Sequence, residues 1–227
     1  MARKVIVTGA RGGLGRAVTE AFLAAGYKVA VPVRGAADAV APFSGEVAVI
    51  EGVDLGDPAA AQSAFDRAKA ALGGIDVVVN VAGGFTFEMI SDGSPESWRE
   101  MFAINLETCA NLSRAAATGL SDGGAIINVG SAAAVVAGAG MGPYAASKAA
   151  VARLTESLAA ELKGRVRVNA VLPAIMDTPR NRADMPAADP ATWTAPAAVA
   201  DAILFLASPQ ARAINGALVP VTNPAVD

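Results

Sequence analysis

Tyr144 and Lys148 stand four residues apart in Tyr-Ala-Ala-Ser-Lys, opening a stretch whose apolar positions Val151, Leu154, Leu158 and Leu162 form one helical stripe. On a helix that spacing puts the phenol and the ammonium on neighbouring turns of one face. A phenol with a solution pKa of ~10 is a poor base at neutral pH. A nearby ammonium favours phenolate, so Lys148 is expected to lower the Tyr144 pKa and fit it for proton transfer. Ser131 lies thirteen residues upstream, just past the β-branched run Ile126–Val129. The carboxyl ends of such strands are where open α/β sheets hold ligands. The chain has no histidine, which excludes His-based catalysis and His metal sites.

A second group of residues is suited to binding. Thr8-Gly9-Ala10-Arg11-Gly12-Gly13-Leu14-Gly15 falls between the first β-like run and the first helical pattern. Glycines at 9, 13 and 15 let the backbone turn tightly and approach a pyrophosphate, with a helix N-terminus facing its charge. A second strand in such a unit normally ends on an acidic residue that hydrogen-bonds the adenosine ribose. Here the position eighteen residues beyond Gly15 is Val33, and Arg34 follows it. A guanidinium there can pair bidentately with a 2′-phosphate, assisted by Arg11, so NADP(H) is expected over NAD(H).

Positioning these groups falls to an alternation of short β-branched runs and helical stretches. The runs are Val5–Thr8, Val29–Val33, Val47–Gly52, Val77–Asn80, Ile126–Val129, Val166–Val171 and Leu218–Val221. Helical patterns lie near Leu14–Ala25, Pro58–Leu72, Pro95–Thr118, Tyr144–Leu162 and Pro196–Leu206. Runs that are apolar almost throughout predict strands buried on both faces, hence a doubly wound parallel sheet of about seven strands with helices on both faces. The whole chain, 1–227, is expected to form a single domain. The Pro-, Ala- and Asp-rich stretch Asp177–Thr194 is expected to form a lid over roughly 177–195, and the Gly-punctuated Ala132–Met141 a loop.

Composition agrees with a well-packed enzyme rather than a binder of polyanions. The 227 residues are 53% apolar and 17% charged, so disorder is not expected, and the net charge of −3 without a basic run argues against nucleic acid. A single cysteine, Cys109, forms no internal disulfide, which fits a reducing compartment. Without a signal-peptide core or a spanning segment the expectation is a cytoplasmic chain with no membrane partner.

Together these motifs resemble the short-chain dehydrogenases/reductases, over essentially the full chain. Thr8–Gly15 is similar to that family's Thr-Gly-x-x-x-Gly-x-Gly turn. Asn80-Val81-Ala82-Gly83 resembles its Asn-Asn-Ala-Gly segment, with Val81 for the second Asn. Asn105 resembles its helical active-site Asn, and Ser131, Tyr144 and Lys148 match the rest of its catalytic set in order and spacing. Pro173-Ala174, with Ile175 and Thr178, resembles the segment that holds the nicotinamide amide, Ala174 replacing Gly. The resemblance implies a Rossmann-type fold, an adenine contact at Asp54-Leu55, and cofactor contacts at Thr8, Leu14, Asn80, Ala82, Gly83, Tyr144 and Lys148. Gly12 stands where many NADP-dependent members carry a basic residue, which leaves the phosphate to Arg34 and Arg11.

By the same resemblance Tyr144 protonates a carbonyl oxygen while a hydride reaches its carbon, and Ser131 holds that oxygen. Lys148 binds the nicotinamide ribose and depresses the Tyr144 pKa, and Asn105 positions a water linking Lys148 to solvent. The substrate is a small carbonyl compound or alcohol. Phe85, Phe87, Met141, Met176, Met185 and Trp193 are candidate pocket residues for an apolar or aromatic one. The Met176–Thr194 segment is also similar to dihydropteridine reductases, although Val33 and Ser131 depart from them, and a non-catalytic NADP(H)-binding regulator is a further alternative. Family members use the two central helices as a four-helix interface, which implies a homotetramer or homodimer.

Overall fold

The computed structural model describes residues 2–37 and 41–224. Seven strands, β1 (Lys4–Val7), β2 (Lys28–Pro32), β3 (Val47–Ile50), β4 (Val77–Asn80), β5 (Gly124–Val129), β6 (Val166–Pro173) and β7 (Leu218–Val221), form one sheet in the order β3-β2-β1-β4-β5-β6-β7. Every neighbouring pair is parallel, for instance Val5 with Val29 on one side and Val77 on the other. The chain winds outward from β1 to β3, then returns to place β4 on the other side of β1. Between the carboxyl ends of β1 and β4 the crossovers diverge and leave a crevice, the ligand position of such sheets.

Because side chains alternate along each strand, the β-branched runs feed two cores. Ile6, Ala30, Val78, Ile126 and Val168 face one side, where α2 (Pro58–Leu72) and a long central helix cover them. Val5, Val7, Val29, Val31, Val77, Val79 and Ile127 face the other, under α1 (Gly13–Ala24). Local chemistry sets the helix ends. The Asp57 carboxylate accepts from the Ala59 amide, Pro58 sits at the first helical position, where its missing N–H costs nothing, and Gly73 ends α2 at φ 74°.

Two elements depart from expectation. The helix expected over Pro95–Thr118 comes as α3 (Pro95–Met101), a π-helical stretch Phe102–Glu107, and α4 (Thr108–Gly119). Asn105 lies inside the widened turns, with its side chain drawn to the backbone of Gly84. The following helix, α5 (Gly142–Glu161), starts two residues before Tyr144, with Pro143 in its first turn. The 177–194 stretch holds α6 (Pro179–Asp184) and a 3-10 turn, Pro190–Thr192, before α7 (Pro196–Ala207), which packs beside α1 on the second core. Its two ends are tied by the Thr194 amide donating to Ile175 O and the Asp177 amide to Thr194 O, each 2.9 Å. No helix of the described residues is long and apolar enough to cross a membrane.

Candidate active site

β5 and α5 together assemble the reactive groups. Val129 ends β5, and its carbonyl accepts from Lys148 Nζ at 2.9 Å. Ser131, two residues on, is buried, and its Oγ accepts from the Ala133 amide at 3.2 Å, which orients the hydroxyl at the strand end. Lys148 is only 5% exposed, its ammonium 6.0 Å from the centroid of the Tyr144 ring. Phe85 packs edge-on against the same ring with centroids 5.0 Å apart.

The titration of this pair differs from the expectation. Burial pushes the Tyr144 phenol above its ordinary value, with the Ser131 hydroxyl pulling the other way. Burial also pulls Lys148 down to about 8, with Cys109 opposing. The net shift of Tyr144 is thus upward, opposite to the lowering expected from the ammonium. The Lys148 hydrogen bond goes to the Val129 carbonyl, and desolvation, which penalises charge on both groups, is the leading cause of both shifts.

Asn105 ties the site together from below. Its Oδ1 accepts from the Gly84 amide at 3.0 Å, while Nδ2 donates to Gly84 O and to Ser147 Oγ, each at 3.1 Å. Ser147 Oγ in turn donates to Tyr144 O at 2.7 Å. The Asn105 side chain is thus committed to the loop after β4 and to α5. Gly83 sits in the space between: a Cβ there would stand 2.5 Å from Asn105 Oδ1 and 3.3 Å from Lys148 Nζ. Gly83→Ala is therefore expected to cost about 1–3 kcal/mol by overpacking and to lower turnover, checked by thermal denaturation beside a rate assay.

The glycine turn is shaped by close approach. Gly9 has φ +67° and lies so near the end of β4 that a Cβ would be 3.0 Å from the Ala82 amide nitrogen. A Cβ on Gly15 would overlap the Gly9 carbonyl, and one on Gly13 would press on Thr178 Cγ2 at 3.0 Å. No side chain caps α1 at Gly12, so its first amides, with the positive end of the helix dipole, are free to meet an anion. This cradle fits a dinucleotide's phosphates. Arg34 and Asp54 lie on the rim beyond β2 and β3, Leu55 is buried beneath them, Arg11 Nη1 lies 3.7 Å from a Cβ position on Gly35, and Leu14 is buried in the second core. Pro173 ends β6, Ile175 is 47% exposed, and Thr178 caps α6 by accepting from the Asn181 amide.

Two residues expected at the cofactor use their side chains as ties within the fold. Thr8 Oγ1 accepts from the amides of Val81 and Ala82, each at 2.9 Å, and so clasps β1 to the end of β4. Asn80 is buried, its Nδ2 donating to Ser113 Oγ and Asn128 Oδ1. Among the described residues the Asn80 Oδ1 finds no hydrogen-bond partner. Of the pocket candidates, Phe85 and Phe87 are exposed and Met141, Met176 and Met185 half-buried, but Trp193 is only 6% exposed and packs inside the fold. Sequence reasoning missed Asn111, whose Nδ2 donates to Leu55 O and Gly56 O and fixes the loop that carries Asp54. It also missed Ile90 and Trp98, which line an open cleft of about 510 Å³ beside Gly142. An amide on the buried stripe of α4 was the visible signal for the first, and nothing local marked the others.

The class follows from comparison as well as geometry: residues 3–188 match the short chain dehydrogenase family. The chain belongs to that family, whose members are NAD(P)-dependent oxidoreductases acting between CH–OH and C=O groups. It is 32% identical over 231 residues to the 3-oxoacyl-[acyl-carrier-protein] reductase of Vibrio harveyi, covering 96% of this chain and 95% of that one. It is 34% identical over 229 residues to the D-threitol dehydrogenase of Mycolicibacterium smegmatis, covering 93% and 88%. Among solved structures, a blue fluorescent protein from a metagenomic library in complex with NADPH superposes with a TM-score of 0.86 at 29% identity, over 98% of this chain and 97% of that one.

Proposed function

We propose that this chain is an NADP(H)-dependent carbonyl reductase/alcohol dehydrogenase working through Ser131, Tyr144 and Lys148 on a small apolar or aromatic ketone or alcohol. The observation that carries the reading is convergence: the phenol, the buried amine and the serine hydroxyl meet at the carboxyl end of β5, beside Gly83 at the end of β4. Bound in the crevice, a reduced nicotinamide supplies a hydride. Ser131 donates a hydrogen bond to the substrate oxygen where negative charge develops, and Tyr144 gives it a proton. A phenol whose pKa burial has raised carries that proton at neutral pH, which suits the reducing direction. Lys148 holds the nicotinamide ribose, and Asn105 keeps Gly84 and Ser147, and hence Tyr144, in place. The chain acts as one domain, with 177–195 as its substrate lid. Phe85, exposed beside Tyr144, and Phe87, exposed beside Gly140, support an apolar or aromatic substrate.

The test is oxidation of NADPH and NADH against a panel of aliphatic, aromatic and acyl ketones. Consumption of neither cofactor with any of them overturns the reading. Cofactor choice rests on Val33 and Arg34. NADPH is expected to bind more tightly than NADH, and Arg34→Asp to reverse the order, as read by calorimetric titration. Equal affinities in the native chain sink the Arg34 assignment. The half-buried stripe of Ala146, Ala149, Ala150 and Leu154 on α5 permits close approach of a second copy. A dimer or tetramer is expected by light scattering at micromolar concentration, and a monomeric mass contradicts it.

A further inference from the structure

Arg34 is not held by its backbone alone. Its Nη2 donates to Asp54 Oδ1 at 3.1 Å, across the mouth of the adenosine end of the crevice. Both carriers are anchored. The Val33 amide donates to Ile50 O and the Val53 amide to Val33 O, each 2.9 Å, which zips the chain together past β2 and β3. The same Asp54 oxygen accepts from the Gly56 amide at 3.0 Å, and Asn111 grips the Leu55 and Gly56 carbonyls from α4. That amide bond, with Arg34 beside it, holds the Asp54 carboxyl below its ordinary pKa, so it is charged at neutral pH.

We propose that Asp54 is a cofactor-specificity residue that competes with the 2′-phosphate of NADP(H) for Arg34 and so narrows the preference over NAD(H). This rests on the reading of Arg34 as the phosphate partner. A 2′-phosphate takes a guanidinium best through two parallel N–H bonds, and one arm of that fork is engaged by Asp54. The carboxylate also repels a phosphate of about −1.5 to −2 charge, whereas the neutral ribose hydroxyls of NAD(H) meet neither obstacle. Both side chains are about two-thirds exposed, 64% and 62%, so the competition is screened and sets a severalfold ratio rather than an absolute choice.

Asp54→Asn removes the charge and keeps an oxygen for the Gly56 amide, so the loop is preserved. Calorimetric titration with adenosine 2′,5′-bisphosphate and with 5′-AMP reads binding without turnover. The substitution is expected to raise the bisphosphate-to-5′-AMP affinity ratio by about three- to tenfold, the adenosine moiety being common to both ligands. On an Arg34→Ala background the gain is expected to fall away. If Arg34→Ala collapses the ratio of the two ligands while Asp54→Asn leaves it unchanged, the competition is overturned and the phosphate role of Arg34 stands. An equal gain on both backgrounds also overturns the competition. If Arg34→Ala leaves the ratio unchanged, the reading of Arg34 and the competition fail together.

Discussion

Tyr144→Phe is expected to lower turnover by about 10²–10⁴-fold while leaving NADPH affinity nearly unchanged. The phenol is the proton donor in the proposed reaction; the chain has no histidine, and the Cys109 thiol near Lys148 is buried and pushed up to about 12. The substitution removes one oxygen from a ring already packed edge-on against Phe85, so the fold has little reason to respond. The pH dependence has a definite sign. Burial raises the Tyr144 pKa, so the protonated donor persists through neutral pH and reduction declines only on the alkaline side. Alcohol oxidation, which needs the phenolate as acceptor, is expected to rise over the same alkaline range. Steady-state rates in both directions, with NADPH titration of the variant, decide the matter. Near-normal turnover in Tyr144→Phe would falsify the mechanism, whatever the fold.

Lys148→Met is expected to abolish turnover and weaken cofactor binding, yet to raise thermal stability at neutral pH. Burial depresses the Lys148 pKa from an ordinary 10.5 to about 8. A lysine depressed in the folded state is a liability below the folded pKa, because the unfolded chain binds the proton more readily. The penalty is full below about pH 8 and relieved as pH rises towards 10.5. It amounts to about 3 kcal/mol, offset in part by the hydrogen bond to Val129 O that the variant forfeits, about 1–2 kcal/mol. Denaturant titrations of both proteins across pH 6 to about 10.5 should show the variant ahead by about 1–2 kcal/mol at the acid end and losing that lead at the alkaline end. A variant less stable than the parent throughout rejects the account. Gaining stability by deleting a buried charge is the usual trade at an active site.

Much of this architecture was legible in the sequence because its signals are local or periodic. β-branched runs apolar on both faces forecast the parallel sheet, and strands such as Val77–Asn80 and Leu218–Val221 lie where the runs did. The glycines at 9 and 15 were recognisable because a Cβ there meets backbone, and Gly13 because a Cβ there presses on Thr178, a constraint written into residue type. Val33 followed by Arg34 was equally plain. The interruption of the helix at Phe102–Glu107 was not, since it arises where Asn105 bonds Gly84, twenty-one residues away in the chain. Trp193 was placed in a pocket because a large aromatic on a loop looks available, and burial against distant elements is invisible to spacing.

The amino-acid sequence by itself determined the kind of sheet, the glycine turn after β1, and the order in which Asn105, Ser131, Tyr144 and Lys148 are presented. The first two follow from side-chain periodicity and from the glycines' lack of a Cβ, and the third is the linear order of the chain itself. Only the tertiary structure decided how the groups behave. It sent Asn80 and Thr8 inward as ties, gave Lys148 to the Val129 carbonyl, and set Asp54 against Arg34. It also reversed the expected direction of the Tyr144 pKa. Spacing along a helix measures the distance between two charges, but the free energy of a charge depends on how much solvent the surrounding elements have displaced, and that is settled only when strands and helices from across the chain close around it.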